Sequence, residues 1–364
     1  MRRTGIATLP LHGGRAPAWL FSRMVRLARQ ITLAVVGEFG AAEMLRRLAD
    51  PCWFQALGCV LGFDWHSSGL TTTTTGALKE GLKGLERELG LFAAGGKGAV
   101  ARRTPREIEA AASIVPDAAS LVSASRLSAK VDSSCLQDGY QVYHHAFFFT
   151  AAGSWAVVQQ GMNTASGLAR RYHWLGEALA SFVEEPHSGI AAQRREQRVL
   201  DLTARASSAV REHSAELIRQ VNPEKLLGEL ARVKQLNLPP RHHIMAADID
   251  PRRLRQTLLV SYEAQPASFQ ELVGLPGVGA KTLRALALLS ELIYGAEASF
   301  TDPARFSFAH GGKDGHPYPV DRAAYDRSID ILRRAVGRAR VGEGERLAAL
   351  RRLEGHFRPG QPTD

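Results

Sequence analysis

Pro276-Gly277-Val278-Gly279 stands directly before a helix-forming run, with Lys281 and Thr282 in its first turn. Glycine lacks Cβ, so this turn can take positive φ and let backbone approach a ligand closely. The amides opening the second helix then point outward at the positive end of its dipole, which suits a phosphate. Gly277, Val278, Gly279 and Thr282 are therefore expected DNA contacts. The plain alternative is a helix–helix turn without a ligand.

The flanking residues build the turn. Ser268 and Glu271 form a capping box that opens a short helix, with Phe269, Leu272 and Val273 on its apolar face. A second helix is expected from about Ala280, burying Leu286, Leu289 and Ile293. The arrangement expected is helix, hairpin, helix.

"LPGVGAKTLRALALL" resembles the helix-hairpin-helix signature of the endonuclease III-like DNA glycosylases. The likeness covers about residues 265–335 and extends to "YPVDRAAYDRSIDIL". It implies Asp321 as the catalytic carboxylate and Lys281 as a Schiff-base amine. A carboxylate stabilises the oxocarbenium-like sugar as an N-glycosidic bond breaks. An amine attacking C1′ then gives an imine and permits β-elimination of the 3′ phosphate. Asp321 also fits a helix N-cap, and Lys281 fits a simple phosphate contact.

The sequence departs from that family in two ways. The spacing from Lys281 to Asp321 is about twice what the likeness leads one to expect, and the insert carries His310, Lys313 and His316 as possible pocket residues. The cysteine cluster of the iron–sulfur members is missing. Cys52, Cys59 and Cys135 all lie in the first half, without C-x-x-C spacing. So sparse and odd a set favours a reducing, cytoplasmic setting.

The rest of the chain must position these groups. A net charge of +10 in 364 residues favours a polyanion, with DNA first. Only eight of the 46 basic residues are lysine. The longest apolar run, "ITLAVV", is too short to span a bilayer, so no membrane partner is expected. The Arg-rich N-terminus has transit-peptide composition, but "TLPLHGGRAPAWLF" breaks an amphipathic helix early and reads as mature structure. Oligomeric state is not legible.

All five tryptophans lie at or before Trp174. This shift suggests an N-terminal mixed α/β domain over 1–188, a helical helix-hairpin-helix domain over 189–357 and a disordered tail over 358–364. The fold class is α+β, mostly α. In the first region "APAWLFSRMVRLARQI" and "DPCWFQALGCVLGF" read as helices, the threonines at 71–75 as a β-branched run, and "LFAAGGKGAVARR" as a glycine-rich loop. "YQVYHHAFFFT", the turn "AAGS" and "WAVVQQGM" read as a β-hairpin. In the second region Val199, Leu202, Ala206, Val210, His213 and Leu217 show helical spacing, and Pro223 and Pro251 open helices.

The β-hairpin is dense in polar residues. His144 and His145 must point to opposite faces of their strand. His144 and Gln159 are possible pocket residues, and Arg170 and Arg171 among aromatics suit phosphate and base contacts. The alternative is a sheet face packed on helices. Asp64, His66, Asp132 and Asp138 lack a recognised metal-ligand spacing. "RRTGIATLPLHGGRAPAWL" and "GFDWHSSGLTTTTTGALKEGL" resemble an uncharacterised archaeal and bacterial family of unknown function.

The reading is a repair-type DNA glycosylase or abasic-site lyase acting through Asp321 and Lys281, with no cofactor expected. Its rivals are a metal-dependent nuclease with its chemistry in the N-terminal region, where a divalent metal enters, and a non-catalytic DNA-binding module.

Overall fold

A computed structural model describes residues 17–62, 69–233, 250–304 and 322–357. Asp64, His66, His310, Lys313, His316, Asp321 and the 358–364 tail lie outside them. In chain order the helices are α1 (Ala18–Phe39), α2 (Ala41–Ala49), α3 (Pro51–Val60), α4 (Gly69–Leu82) and α5 (Glu86–Leu89), followed by strand β1 (Leu91–Lys97). Next come α6 (Thr104–Glu109), α7 (Ala118–Ser134), β2 (Leu136–Gln137), β3 (Gln141–Thr150), β4 (Trp155–Asn163), β5 (Leu168–Leu175), β6 (Gly189–Ala192) and β7 (Leu200–Asp201). The chain continues through α8 (Ser208–Gln220), α9 (Pro223–Val233), α10 (Pro251–Ala264), α11 (Phe269–Gly274), α12 (Ala280–Tyr294), α13 (Arg322–Arg338) and α14 (Glu343–Phe357). The chain is α+β and mostly helical.

A five-stranded antiparallel sheet, in the order β1-β3-β4-β5-β6, divides the described core. Strand alternation sends successive side chains to opposite faces. Phe147 and Phe149, with Phe92, Val157 and Trp174, face a core built by α7 through α12. Ala146 and Phe148, with Leu91, Ala156 and Val158, face a second core built by α1–α4, α13 and α14. Burying each of the larger side chains contributes about 1.5–3 kcal/mol.

Both cores cross residue 188. Val131 of α7 shares a core with Leu217 and Leu286, while Val336 and Leu353 near the C-terminus share one with Met24 and Trp53. The tryptophan shift therefore does not mark a break between cores.

Three local expectations need correction. The threonine run is helical, because Thr71, Thr74 and Thr75 are buried in α4 and Thr75 Oγ1 donates to the Thr71 carbonyl at 2.8 Å. The glycine-rich stretch is strand β1 followed by a 3₁₀ turn. At Gly95 φ is +86°, and a Cβ there would lie 2.2 Å from the His145 carbonyl oxygen. Val199 and Leu202 flank strand β7, and the helix begins only at Ser208.

The β3–β4 hairpin turns at residues 151–154, as its alternation predicts. α9 and α10 start at Pro223 and Pro251. Leu286 and Leu289 of α12 are buried, but Ile293 is about half exposed, at 51%.

Candidate functional site

α11 and α12 are joined by residues 275–279. Ser268 Oγ accepts the Glu271 amide at 3.2 Å, and the Glu271 carboxylate accepts the Ala267 amide at 2.8 Å. Gly277 has φ +81° and lies over Thr257, while the Val278 side chain is buried and anchors the turn. Gly279 is extended and caps α12 without any side-chain hydrogen bond. Lys281 is exposed in the first turn, and Thr282 is buried. Val278 and Thr282 can therefore meet a ligand only through backbone.

The turn is tied from behind. Lys130 Nζ donates to the Leu275 carbonyl at 2.7 Å. Gln137 Nε2 donates to the Ala280 carbonyl at 2.9 Å, and Arg284 Nε donates to Gln137 Oε1 at 2.9 Å. Burial lowers the Lys130 ammonium below its usual pKa. The α7 end and β2 thus hold the turn, leaving the Lys281 side accessible.

A second polar system lies on the sheet face toward α7. Ser125 Oγ meets His145 Nε2 at 2.9 Å, and His145 Nδ1 meets Gln159 Oε1 at 2.9 Å. Gln159 Nε2 donates to Asp132 Oδ2 at 2.6 Å, and Trp174 Nε1 donates to the same oxygen at 3.0 Å. Asp132 Oδ1 meets His187 Nε2 at 2.6 Å. Burial brings His145 down to about 4, so it is neutral near pH 7. Gln159 Oε1 fixes the tautomer, and Ser125 donates to the free Nε2. Ser125, His145 and Gln159 bond like a nucleophile, base and orienter, yet all three are buried.

Arg170 and Arg171, expected at a DNA surface, lie inside the molecule. Arg170 bridges Asp138 at 3.0 Å and Asp302 at 3.0 and 2.6 Å. Tyr172 donates to Asp138 Oδ2 at 2.7 Å. Burial pushes Asp138 up to about 6, against the pull of Arg170 and Tyr172. Arg171 points to the other face, where it bonds Gln55, His173 and the Pro51 carbonyl. The period-2 alternation that buries apolar residues buries these guanidiniums too.

His144 also lies on that other face, with Nε2 2.9 Å from Thr75 Oγ1. Burial lowers it to about 3. His144 and Gln159 therefore sit on opposite sides of the sheet and cannot line one pocket. Asp132 and Asp138 each engage protein donors, and among the described residues no group of three or more His, Cys, Asp or Glu gathers as a metal site. Among them, too, no helix is long and apolar enough to cross a membrane.

The sequence reading missed His187. It stands at the edge of the expected 1–188 region, and its partner Asp132 lies 55 residues away in sequence. Only its place after a strand rich in buried polar residues hinted at it.

A family model described as protein of unknown function (DUF763) matches residues 5–320. Searches of curated proteins and of solved structures gave no match.

Proposed function

The chain belongs to the DUF763 family of proteins of unknown function, and from its residues we propose that it is a DNA-binding enzyme of repair type. The turn between α11 and α12 holds a backbone phosphate, and Lys281 acts beside it on a damaged base or abasic site. One observation carries this reading. α12 opens without a side-chain cap, directly behind Gly277 at φ +81°, with Lys281 exposed in its first turn. The uncapped amides supply donors and the dipole supplies positive potential.

The net charge of +10 supports a polyanionic ligand. The likeness of "LPGVGAKTLRALALL" to the glycosylase hairpin supports DNA as that ligand. In this reading the Lys281 amine attacks C1′ of an open abasic sugar. Water leaves as the imine forms, and loss of a C2′ proton expels the 3′ phosphate. Asp321 is assigned the carboxylate role on the same likeness.

Borohydride trapping with an abasic duplex in EDTA tests the reading. A covalent adduct lost in Lys281→Ala is expected. No adduct from the wild-type protein would remove the lyase step and reduce Lys281 to a phosphate contact.

A further inference from the structure

α1 buries Met24, Leu27, Ala28, Ile31 and Val35 in the second core. Positions 19, 23, 26 and 30 therefore share its outward side, each about one helical turn from the next. They are Trp19, Arg23, Arg26 and Gln30. Trp19 is 61% exposed. The Arg23 guanidinium lies over its indole ring, 5.3 Å from the centroid. The Arg26 side chain is 66% exposed and meets Glu345 of α14 loosely, at 3.6 Å. Gln30 Oε1 accepts the Arg340 amide at 3.2 Å, which sets exposed Arg340 at the far end of the row.

The charge on this side of α1 is of one sign. The helix holds no acidic residue before Glu38, and Glu38 pairs with Arg334 and Arg338. Arg29, just off the row, is held by the structure, because it donates to the Gly81 and Lys83 carbonyls at 3.1 and 3.0 Å. Arg23 lies instead on an aromatic ring that is itself open to solvent. That stack orients guanidinium and indole before any ligand arrives.

We propose that this side of α1 binds an unpaired nucleic acid strand, with a base stacked on Trp19 and backbone phosphates on Arg23, Arg26 and Arg340. Guanidiniums in a row beside an open aromatic ring suit a single strand. The cations follow the phosphates, and every base has a π-face to stack. A duplex keeps its bases stacked on one another and offers Trp19 no free face. A membrane surface fits less well. Between Trp19 and Phe39 no large apolar side chain of α1 is exposed, whereas an interfacial helix buries a continuous apolar face. The row belongs to the layer across the sheet from the α11–α12 turn. It is a second contact, shares only the class of ligand with the proposed function, and uses neither Lys281 nor Gly277.

The test is fluorescence anisotropy of the full-length protein with dye-labelled single-stranded and duplex oligonucleotides over a salt series. The side chains concerned are exposed, so the variants should keep the wild-type unfolding midpoint. Trp19→Ala is expected to weaken single-strand binding about 10-fold or more and to leave duplex binding unchanged. Trp19→Phe keeps most of the affinity, and Trp19→Leu does not. Arg23→Gln and Arg26→Gln together lower the single-strand slope of log affinity against log salt by about 1.4. Single-strand affinity at the wild-type value in Trp19→Ala or in the double arginine variant overturns the proposal and leaves the hairpin reading standing. Equal binding by Trp19→Leu and Trp19→Phe also overturns it, since a stacked base needs a ring. So does a wild-type protein that binds anionic lipid vesicles but no single strand.

Discussion

Arg170 and Asp302 form a buried two-pronged ion pair, with Nη1–Oδ1 at 3.0 Å and Nη2–Oδ2 at 2.6 Å. It pins the segment after α12 to β5, reinforced by Arg195 Nε donating to the Ala304 carbonyl at 3.0 Å. Asp302 also accepts the amides of Glu196 and Ala304. Asp302→Ala leaves the Arg170 guanidinium with Asp138 as its one remaining carboxylate in this pair of contacts and takes the acceptor from Nη2 and from the Glu196 and Ala304 amides, so it is expected to cost about 3–5 kcal/mol in urea unfolding. A loss under about 1 kcal/mol would show that Asp138 and entering water satisfy these groups at no cost.

Acid should destabilise the fold through its histidines. His144 and His145 are lowered to about 3 and about 4, and His173 lies well below its usual value, all chiefly by burial. Each folded pKa is below the unfolded value of about 6.5. The unfolded chain therefore binds more protons in between, and stability rises with pH. The histidine contribution is complete above about pH 6.5 and is lost as pH falls toward 4. Unfolding midpoints measured across that window should fall with pH, and less steeply in His145→Gln. Identical slopes would place the acid sensitivity elsewhere.

Gly95→Ala tests the β1–β3 edge. The added methyl would meet the His145 carbonyl oxygen at 2.2 Å and Thr104 Oγ1 at 2.6 Å, at φ +86°. Strain and overpacking together predict a loss of roughly 3 kcal/mol or more. Gly153→Ala, also at positive φ but with open space around it, should cost only about 1 kcal/mol. Equal costs would mean that β1 shifts freely.

Lys130→Met tests the tie behind the hairpin. The variant keeps the stem and loses the hydrogen bond to the Leu275 carbonyl. Stability should fall by about 1 kcal/mol, and amide exchange at Val278 and Gly279 should quicken. Unchanged exchange there would show that Gln137 and Val278 suffice to hold the turn.

Much of the local structure was legible because it is written in short-range rules. The capping serine at 268, the glycines at 277 and 279, the proline helix starts and the β3–β4 alternation each act within a few residues. The buried threonines overrode their β preference through tertiary packing, which no local window contains. Arg170 and Arg171 read as surface because basic side chains usually are. Their carboxylate and amide partners, Asp138, Asp302 and Gln55, are distant in sequence or on other elements. His187 and Asp132 were hidden for the same reason, since a 2.6 Å contact between residues 55 apart leaves no spacing to read.

Gel retention of an abasic duplex over a salt series asks whether the α11–α12 turn grips a DNA backbone. The wild-type protein should show affinity falling steeply with salt. Lys281→Ala should reduce the slope of log affinity against log salt by about one, and Gly277→Val should weaken binding at every salt concentration. Wild-type slopes and affinities in both variants would mean that the turn holds no backbone phosphate.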